Sequence, residues 1–289
     1  MVQSMNERTN SGTGISGSTL KLIAIICMLI DHIGAGLVFY DIAGGQYLLT
    51  AGDRATELAI YYWLRRIGRT AFPIFCYQVV EGFFHTRSRA RYLLNMFVFA
   101  IFSEIPFDLG LTFKRIPVGS GWVSMLKDHM ETAWTAQNVF WTLALGLTAI
   151  WLIHTILNIS EGKGAGTLAA GFAASCGVLT VISLTAQKLH TDYRWYGVCL
   201  ITIFFIFYRY REKGMMNPAL QKVLGCAAGY PLLGQLNMEW WSLPGFELIC
   251  LASGKRGFLG RSRWKYAFYF FYPAHLILIY CIRCVLFGG

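Results

Sequence analysis

Residues 19–40 read TLKLIAIICMLIDHIGAGLVFY, an apolar run long enough to cross a bilayer, with Asp31 and His32 in its middle. A membrane-spanning helix needs ~20 mostly apolar residues. An ionisable side chain at its centre costs roughly 2.5–3.5 kcal/mol on insertion scales, and so marks a functional position by default. The alternative for His32 is a neutral histidine hydrogen-bonded inside a helix bundle. Successive residues on a helix point about 100° apart, so Asp31 and His32 do not face each other.

The rest of the chain fits a membrane protein. Hydrophobic residues make up 55% and charged residues 14%, which excludes an ordinary soluble domain. Trp and Tyr gather near the ends of apolar runs, where interfacial belts form. The net charge is +10, but the basic residues sit in short loops between apolar runs. They read as topology signals and anchors for anionic lipid, so the expected partner is the lipid bilayer and not nucleic acid. The eight cysteines lie almost wholly in apolar segments, as small buried hydrophobes do. Cys281 and Cys284 form a lone C-x-x-C with no second pair, and no metal is expected.

The pattern predicts an all-α fold: a polytopic transmembrane helical bundle of about nine spans (eight to ten). They fall near 19–40, 68–85, 92–112, 136–157, 166–187, 195–209, 219–236, 239–253 and 265–287. Residues 41–67 are amphipathic and predict an interfacial helix. The stretch 214–253 carries Pro218, Pro231 and Pro244, so a broken or re-entrant helix is expected there. Residues 1–18 are polar and predict a disordered cytoplasmic tail. The first apolar run is too long for a cleaved leader, which leaves 19–289 as one transmembrane domain. The larger share of Lys and Arg lies on the N-terminal side, which predicts a cytoplasmic N-terminus and, with nine spans, an external C-terminus.

Depth arguments gather polar groups into one layer. At ~1.5 Å per residue, His32 lies about 20 Å from the cytoplasmic end of its span, just past the midplane of a ~30 Å core. Glu104 reaches a similar depth on the third span, and His275 on the last. Arg69, Gln137 and Asn138 fall at the outer ends of theirs. This predicts a polar cavity in the outer half, with Glu104 or Asp108 as the carboxylate partner of His32. Each residue has a plainer alternative. Glu104 and Asp108 suit a polar cap where Pro106 interrupts the helix. Gln137 and Asn138 suit helix capping. His275, after Pro273, is either a second catalytic group or a core hydrogen bond. Arg65, Arg66 and Arg69 cluster at the mouth of the second span, and Glu81 lies deeper on it, a candidate partner for an arginine.

Five segments carry a family resemblance: LKLIAIICMLIDHIG, RIGRTAFPIFCYQVVEGFFHTR, FAIFSEIPFDL, QNVFWTLALG and FYPAHL. In order and spacing they resemble the TraX family over about residues 18–280. TraX proteins are polytopic membrane proteins first known from conjugation systems, where the family member acetylates the N-terminus of pilin; relatives also occur outside conjugation operons, so the resemblance implies acyl transfer more strongly than a pilin acceptor. The family is distantly similar to transmembrane acyltransferases that use a first-helix histidine and a cytoplasmic acyl-CoA. The resemblance implies a bacterial cytoplasmic (inner) membrane location, acetyl-CoA as acyl donor, and a catalytic role for His32.

The residue types suit that chemistry. Acetyl transfer to an amine or hydroxyl needs a base, and histidine titrates near working pH. The developing oxyanion needs donors, which Arg69, Gln137 and Asn138 offer. Glu104 would orient the imidazole. No phosphate-binding glycine loop is present. Arg87, Arg89, Arg91, Arg256 and Arg261 are the candidates for the donor's phosphates, with positive-inside charge as their alternative reading. The acceptor is left open among a peptide, an envelope sugar and a small molecule. Two other classes fit the same residues: a proton-coupled secondary transporter, which a CoA thioester would not bind, and a non-catalytic assembly factor, which would tolerate loss of His32.

Overall fold

The computed structural model describes residues 14–111, 135–257 and 264–287, and among them the regular elements are all helical. The first helix, α1 (Gly17–Ile33), opens on Ser16, whose side chain accepts from the Thr19 amide. Residues 14–18, part of the expected tail, are pinned here: Ile15 donates to Leu251 O and accepts from the Ser253 amide. Residues 1–13 lie outside the described residues.

α1 does not stop after His32. It passes through a π-helical turn, Gly34–Val38, into α2 (Phe39–Gly44), so that one helical run covers 28 residues. A π turn inserts an extra residue into the helix and is common beside functional positions. Glycine is required at position 36, where a Cβ would press on Ile279 and on Gly110 O. The expected interfacial helix is α3 (Arg54–Gly68), capped by the Asp53 side chain. After a break at residues 69–70 comes α4 (Ala71–His85).

α5 (Arg89–Phe102) and α6 (Glu104–Leu111) are bent by 43° at Ser103. The break precedes Pro106. In a continuous helix its ring would strike the carbonyl of Phe102, whereas the first turn of a new helix tolerates it. α7 (Val139–Ser160), α8 (Ala165–Lys188) and α9 (Arg194–Glu212) pack on one another. Gly146 lets α7 approach Ile201 of α9. α10 (Pro218–Leu233) and α11 (Leu243–Cys250) follow, and α12 (Trp264–Phe287) closes the bundle against α6 and α1.

Among the described residues, four helical runs are long and apolar enough to cross a membrane: Gly17–Gly44, Val139–Ser160, Ala165–Lys188 and Ala267–Phe287. Counting the bent α5–α6 pair as one gives five. α4 has 15 residues, α10 has 16 and α11 has 8. At ~1.5 Å per residue none of these three reaches across a ~30 Å core alone. The expected span at 239–253 is thus a four-residue 3₁₀ turn, Glu239–Ser242, followed by the short α11. α8 exposes Leu168, Phe172, Val181 and Leu184, as a lipid-facing helix does.

α1 and α12 run parallel. Lys21 stands over Phe268, His32 meets His275, and Tyr40 packs on Phe287. The described ends of the chain therefore lie at opposite ends of the bundle.

Candidate active site

The α1–α12 contact brings two histidines together from positions 243 residues apart in sequence. His32 Nδ1 and His275 Nε2 are 2.7 Å apart, and both residues are buried. Their rings are within 6° of parallel with centroids 5.0 Å apart. With so short a nitrogen–nitrogen contact, the rings lie end to end, not face to face. His275 Nδ1 lies 2.8 Å from the Phe271 carbonyl oxygen. A carbonyl only accepts, so His275 Nδ1 carries a proton. In the neutral ring, His275 Nε2 is then an acceptor and His32 Nδ1 the donor. The chain carbonyl–His275–His32 leaves the lone pair of His32 on Nε2.

Asp31, one residue earlier, points to a different set of partners. Arg65 Nη1 donates to its Oδ2 at 2.6 Å, and Arg69 pairs with its Oδ1. Arg69 also donates to Glu239 Oε1 at 2.9 Å and to the Tyr193 hydroxyl at 3.3 Å. The ring of Tyr193 stacks on Phe72. One guanidinium thus ties α1 to the 3₁₀ turn and to the start of α9. Gly68 makes room for this: a Cβ there would collide with Asp31.

Three adjoining cavities run through this layer. The middle one, about 230 Å³, is lined by Asp31, His32, Arg65, Arg69, Asp192 and Tyr193 among others. Toward the N-terminal end of α1 lies a mostly apolar cavity of about 110 Å³, with Lys21 and Gln78 in its wall. The two share Met28, Phe75, Val139 and Tyr272. At the other end is a cavity of about 550 Å³ lined by Gln137, Gln187, Asp192 and Glu239. It shares Arg69, Phe107, Asp192 and Tyr193 with the middle one.

Several expected placements are corrected. His32 pairs with His275, not with Glu104 or Asp108, and neither carboxylate lines any of the three cavities. Glu104 Oε2 instead accepts from Trp141 Nε1 at 3.0 Å and from the Asn138 side chain. Asp108 is buried on α6. Asn138 caps α7, taking the Phe140 amide on Oδ1 at 3.0 Å, and donates to Ala100 O at 2.8 Å. It braces α5 against α7 and stays outside the cavities. Gln137 does line the largest of the three cavities, and its backbone bonds with His190 and Asp192. Arg66 leaves the site, with its guanidinium over Trp63 and Trp241.

The remaining candidates lie at the N-terminal end of α1. Glu81 has Arg211, Lys222 and Arg256 as its charged neighbours, with no ion pair to an arginine among the described residues. Arg256 donates to His85 O at 3.4 Å, and Arg89 sits over Phe83. Arg87, on the α4–α5 turn, and Arg91, in the first turn of α5, are exposed nearby. Arg261 lies outside the described residues. Sequence reasoning passed over Asp192, Tyr193 and Glu239. The one cue for Glu239 was an acid placed against two tryptophans, Trp240 and Trp241.

The arrangement defines a helical membrane protein with a buried histidine pair at the junction of cavities from both ends. Its sequence matches the family described as TraX protein over residues 16–283, and the chain belongs to that family. It is also 25% identical to the "Probable fimbrial assembly protein FimC, serogroup H1" of Dichelobacter nodosus, over 91% of this chain and 94% of that protein. No solved structure matches it.

Proposed function

We propose that the protein is an acyltransferase of the cytoplasmic membrane. It moves an acetyl group from acyl-CoA on the cytoplasmic side to an amine or hydroxyl of an acceptor entering from outside. The observation that carries this reading is the His32–His275 pair at the meeting point of cavities from opposite ends of the bundle. Acyl-CoA supplies the activated acyl group as a thioester. Its fit rests on the narrow apolar cavity toward the basic end, with Lys21 in its wall and Arg89 and Arg256 at that end.

His32 Nε2 takes the proton of the attacking amine or hydroxyl. His275 holds the ring in the tautomer that frees Nε2, and its own hydrogen bond to Phe271 O keeps it oriented. This is the positioning role that a carboxylate plays beside other catalytic histidines. Arg65 and Arg69, held by Asp31, present positive charge to the middle cavity, where a developing oxyanion would be stabilised. The thiol leaving group takes the proton back from His32. In this reading the N-terminus is cytoplasmic, and α4, α10 and α11 are broken segments that complete the expected spans within the protein interior.

The test is transfer of labelled acetyl from acetyl-CoA to peptide and sugar acceptors by the purified protein in proteoliposomes. Transfer that is lost in a folded His32→Ala variant supports the reading. Equal transfer by that variant, or failure of the wild type to bind acetyl-CoA, overturns it.

A further inference from the structure

Residues 45–53 join the first helical run to α3, and two buried acids hold them. Asp41, on α2, and Glu57, on α3, are both 0% exposed. Asp41 Oδ2 accepts from the Leu49 amide at 3.0 Å. Glu57 Oε2 accepts from the Thr50 hydroxyl at 2.9 Å. Leu49 and Thr50 are consecutive, so the two carboxyl groups arrive side by side, within hydrogen-bond reach of each other. Their second oxygens, Asp41 Oδ1 and Glu57 Oε1, are buried with no hydrogen-bond partner among the described residues. The loop needs such ties. Tyr47 and Ala51 are left-handed, with φ of 49° and 51°, a conformation that residues other than glycine adopt rarely.

Two carboxylates side by side offer acceptors only. Buried acceptors without a donor carry a desolvation cost, and like charges in contact disfavour double ionisation. A single proton removes both costs, because a protonated carboxyl donates and its partner accepts. The charge acting on Glu57 is that of Asp41; burial first, and then Asp41, raise its carboxyl above the usual range against the pull of the Thr50 hydroxyl. The other charged groups around α3 are placed elsewhere. The π-helical turn packed on it has no titratable residue. Asp31 and Glu239, from α1 and the 3₁₀ turn, meet Arg65 and Arg69 at its far end. Asp53 receives the Ala55 and Thr56 amides, and Arg54 is exposed. Arg283 of α12 stands over Tyr40.

We propose that Asp41 and Glu57 share one proton, which makes them a pH-sensitive staple between the loop 45–53 and the start of α3. With that proton the pair carries a single negative charge, and both second oxygens are bonded. Loss of the proton leaves two carboxylates in contact, and the loop comes away. The folded value is raised, so the staple's contribution is fullest below the unfolded value, roughly 4.3, and is lost as the pH rises through the folded one. The staple lies at the end of the bundle away from the N-terminus of α1, which the topology proposed above puts outside. Its opening also slackens α3, whose last turn carries Arg65, bound to Asp31 beside His32. An effect on transfer rests on the acyltransferase reading; the staple does not.

The experiment is hydrogen exchange of residues 45–57 in the full chain in nanodiscs, comparing the wild type with Glu57→Gln and Asp41→Asn at each pH. The comparison cancels the base catalysis of exchange itself. In each variant the new amide donates to the remaining carboxylate at every pH, so the staple stays closed without a titrating proton. At pH 5 the three proteins should be protected to within about threefold of one another. By pH 9 the wild type should be less protected than both variants by roughly tenfold or more, since one linked proton is worth up to about tenfold per pH unit. Protection that follows the same course in all three overturns the proposal. So does a loss of wild-type protection at pH 7 on adding EDTA, because a divalent cation would then sit where the proton is placed. No transfer is measured, so failure here leaves the acyltransferase reading untouched.

Discussion

His32 and Glu104 are polar groups on neighbouring parts of the same bundle, and their surroundings differ in kind. Glu104 is held within its own corner: Trp141 and Asn138 bind one oxygen, and Asn138 also braces α5 and caps α7. None of the three cavities described above is lined by it. His32 has one ring nitrogen fixed by His275 and lines the middle cavity. The other oxygen of Glu104, Oε1, is buried without a hydrogen-bond partner. A group enclosed by its neighbours in this way can brace a fold, whereas a group fixed on one side and open to a cavity on the other can do chemistry. The pair therefore separates bracing from catalysis at similar depth, and each prediction below tests that separation.

The largest effect belongs to His32→Ala. Losing a general base costs typically 10²–10⁴-fold, and acetyl transfer should fall by that much or more while the melting temperature changes little. A variant with near-normal kcat would remove the distinction between the two clusters. His275→Ala should lose most of the activity as well. The double variant His32→Ala/His275→Ala should be no worse than His32→Ala alone, since the two act as one unit. The corresponding cycle between His32 and Glu104 should be additive. Strong coupling there would mean that Glu104 shares the catalytic task after all.

What the sequence disclosed follows from how local the signal is. The apolar run with His32 at its centre, the amphipathic α3 and the break in 214–253 are all written in consecutive residues, and so are the TraX segments. The His275 contact is not, because it joins helices at opposite ends of the chain. Analogy with histidine–carboxylate pairs pointed to Glu104, but the bundle supplies a second imidazole and a backbone carbonyl instead. The span count was legible only in part for a related reason: among the described residues four or five of the nine expected spans are helices long enough to cross alone. Apolar composition reports what is buried in lipid or protein, but not where a helix breaks, and the break at Ser103 and the short α4, α10 and α11 depend on packing. Asp31 read as an ionisable residue at a functional position in the first span. Its two arginines, Arg65 in the last turn of α3 and Arg69 just after that helix, make it the anchor of α3.

That anchor gives the next prediction. Arg69→Met would leave Glu239 without its cation and Asp31 with only Arg65. Breaking one partner out of a buried ion pair costs about 3–5 kcal/mol, and a clear fall in melting temperature in detergent is expected together with loss of transfer. Arg69→Lys should recover part of the stability, because a point charge cannot serve both carboxylates and Tyr193 as a fork does. Glu104→Gln should be milder. It keeps a carbonyl oxygen for Trp141, costs about 1 kcal/mol in stability and leaves kcat within about threefold. A hundredfold loss of kcat would move Glu104 from the bracing side of the comparison to the catalytic one.

The smallest effect is expected at the far end of the bundle, where Glu161 follows α7. It accepts from Lys213 and, at 2.7 Å, from Arg209 Nη2. The Lys213 hydrogen bond, and then Arg209, hold its carboxyl below the usual carboxylate range. A carboxylate whose folded value is depressed adds stability above its unfolded pKa, roughly 4.3, and loses it as the pH falls through the folded value. The side chain of Glu161 is 40% exposed, so water and salt screen the pair. Arg209 also keeps His154 Nδ1 at 2.9 Å when Glu161 is gone. Glu161→Gln should therefore cost less than about 1 kcal/mol at pH 7, with the difference shrinking below pH ~4 and in high salt. Melting curves of wild type and variant at pH 7 and pH 4 measure it. A loss at pH 7 as large as that of Arg69→Met would show that burial, the property taken to set the Asp31–Arg65–Arg69–Glu239 pairs apart, does not govern what these pairs are worth.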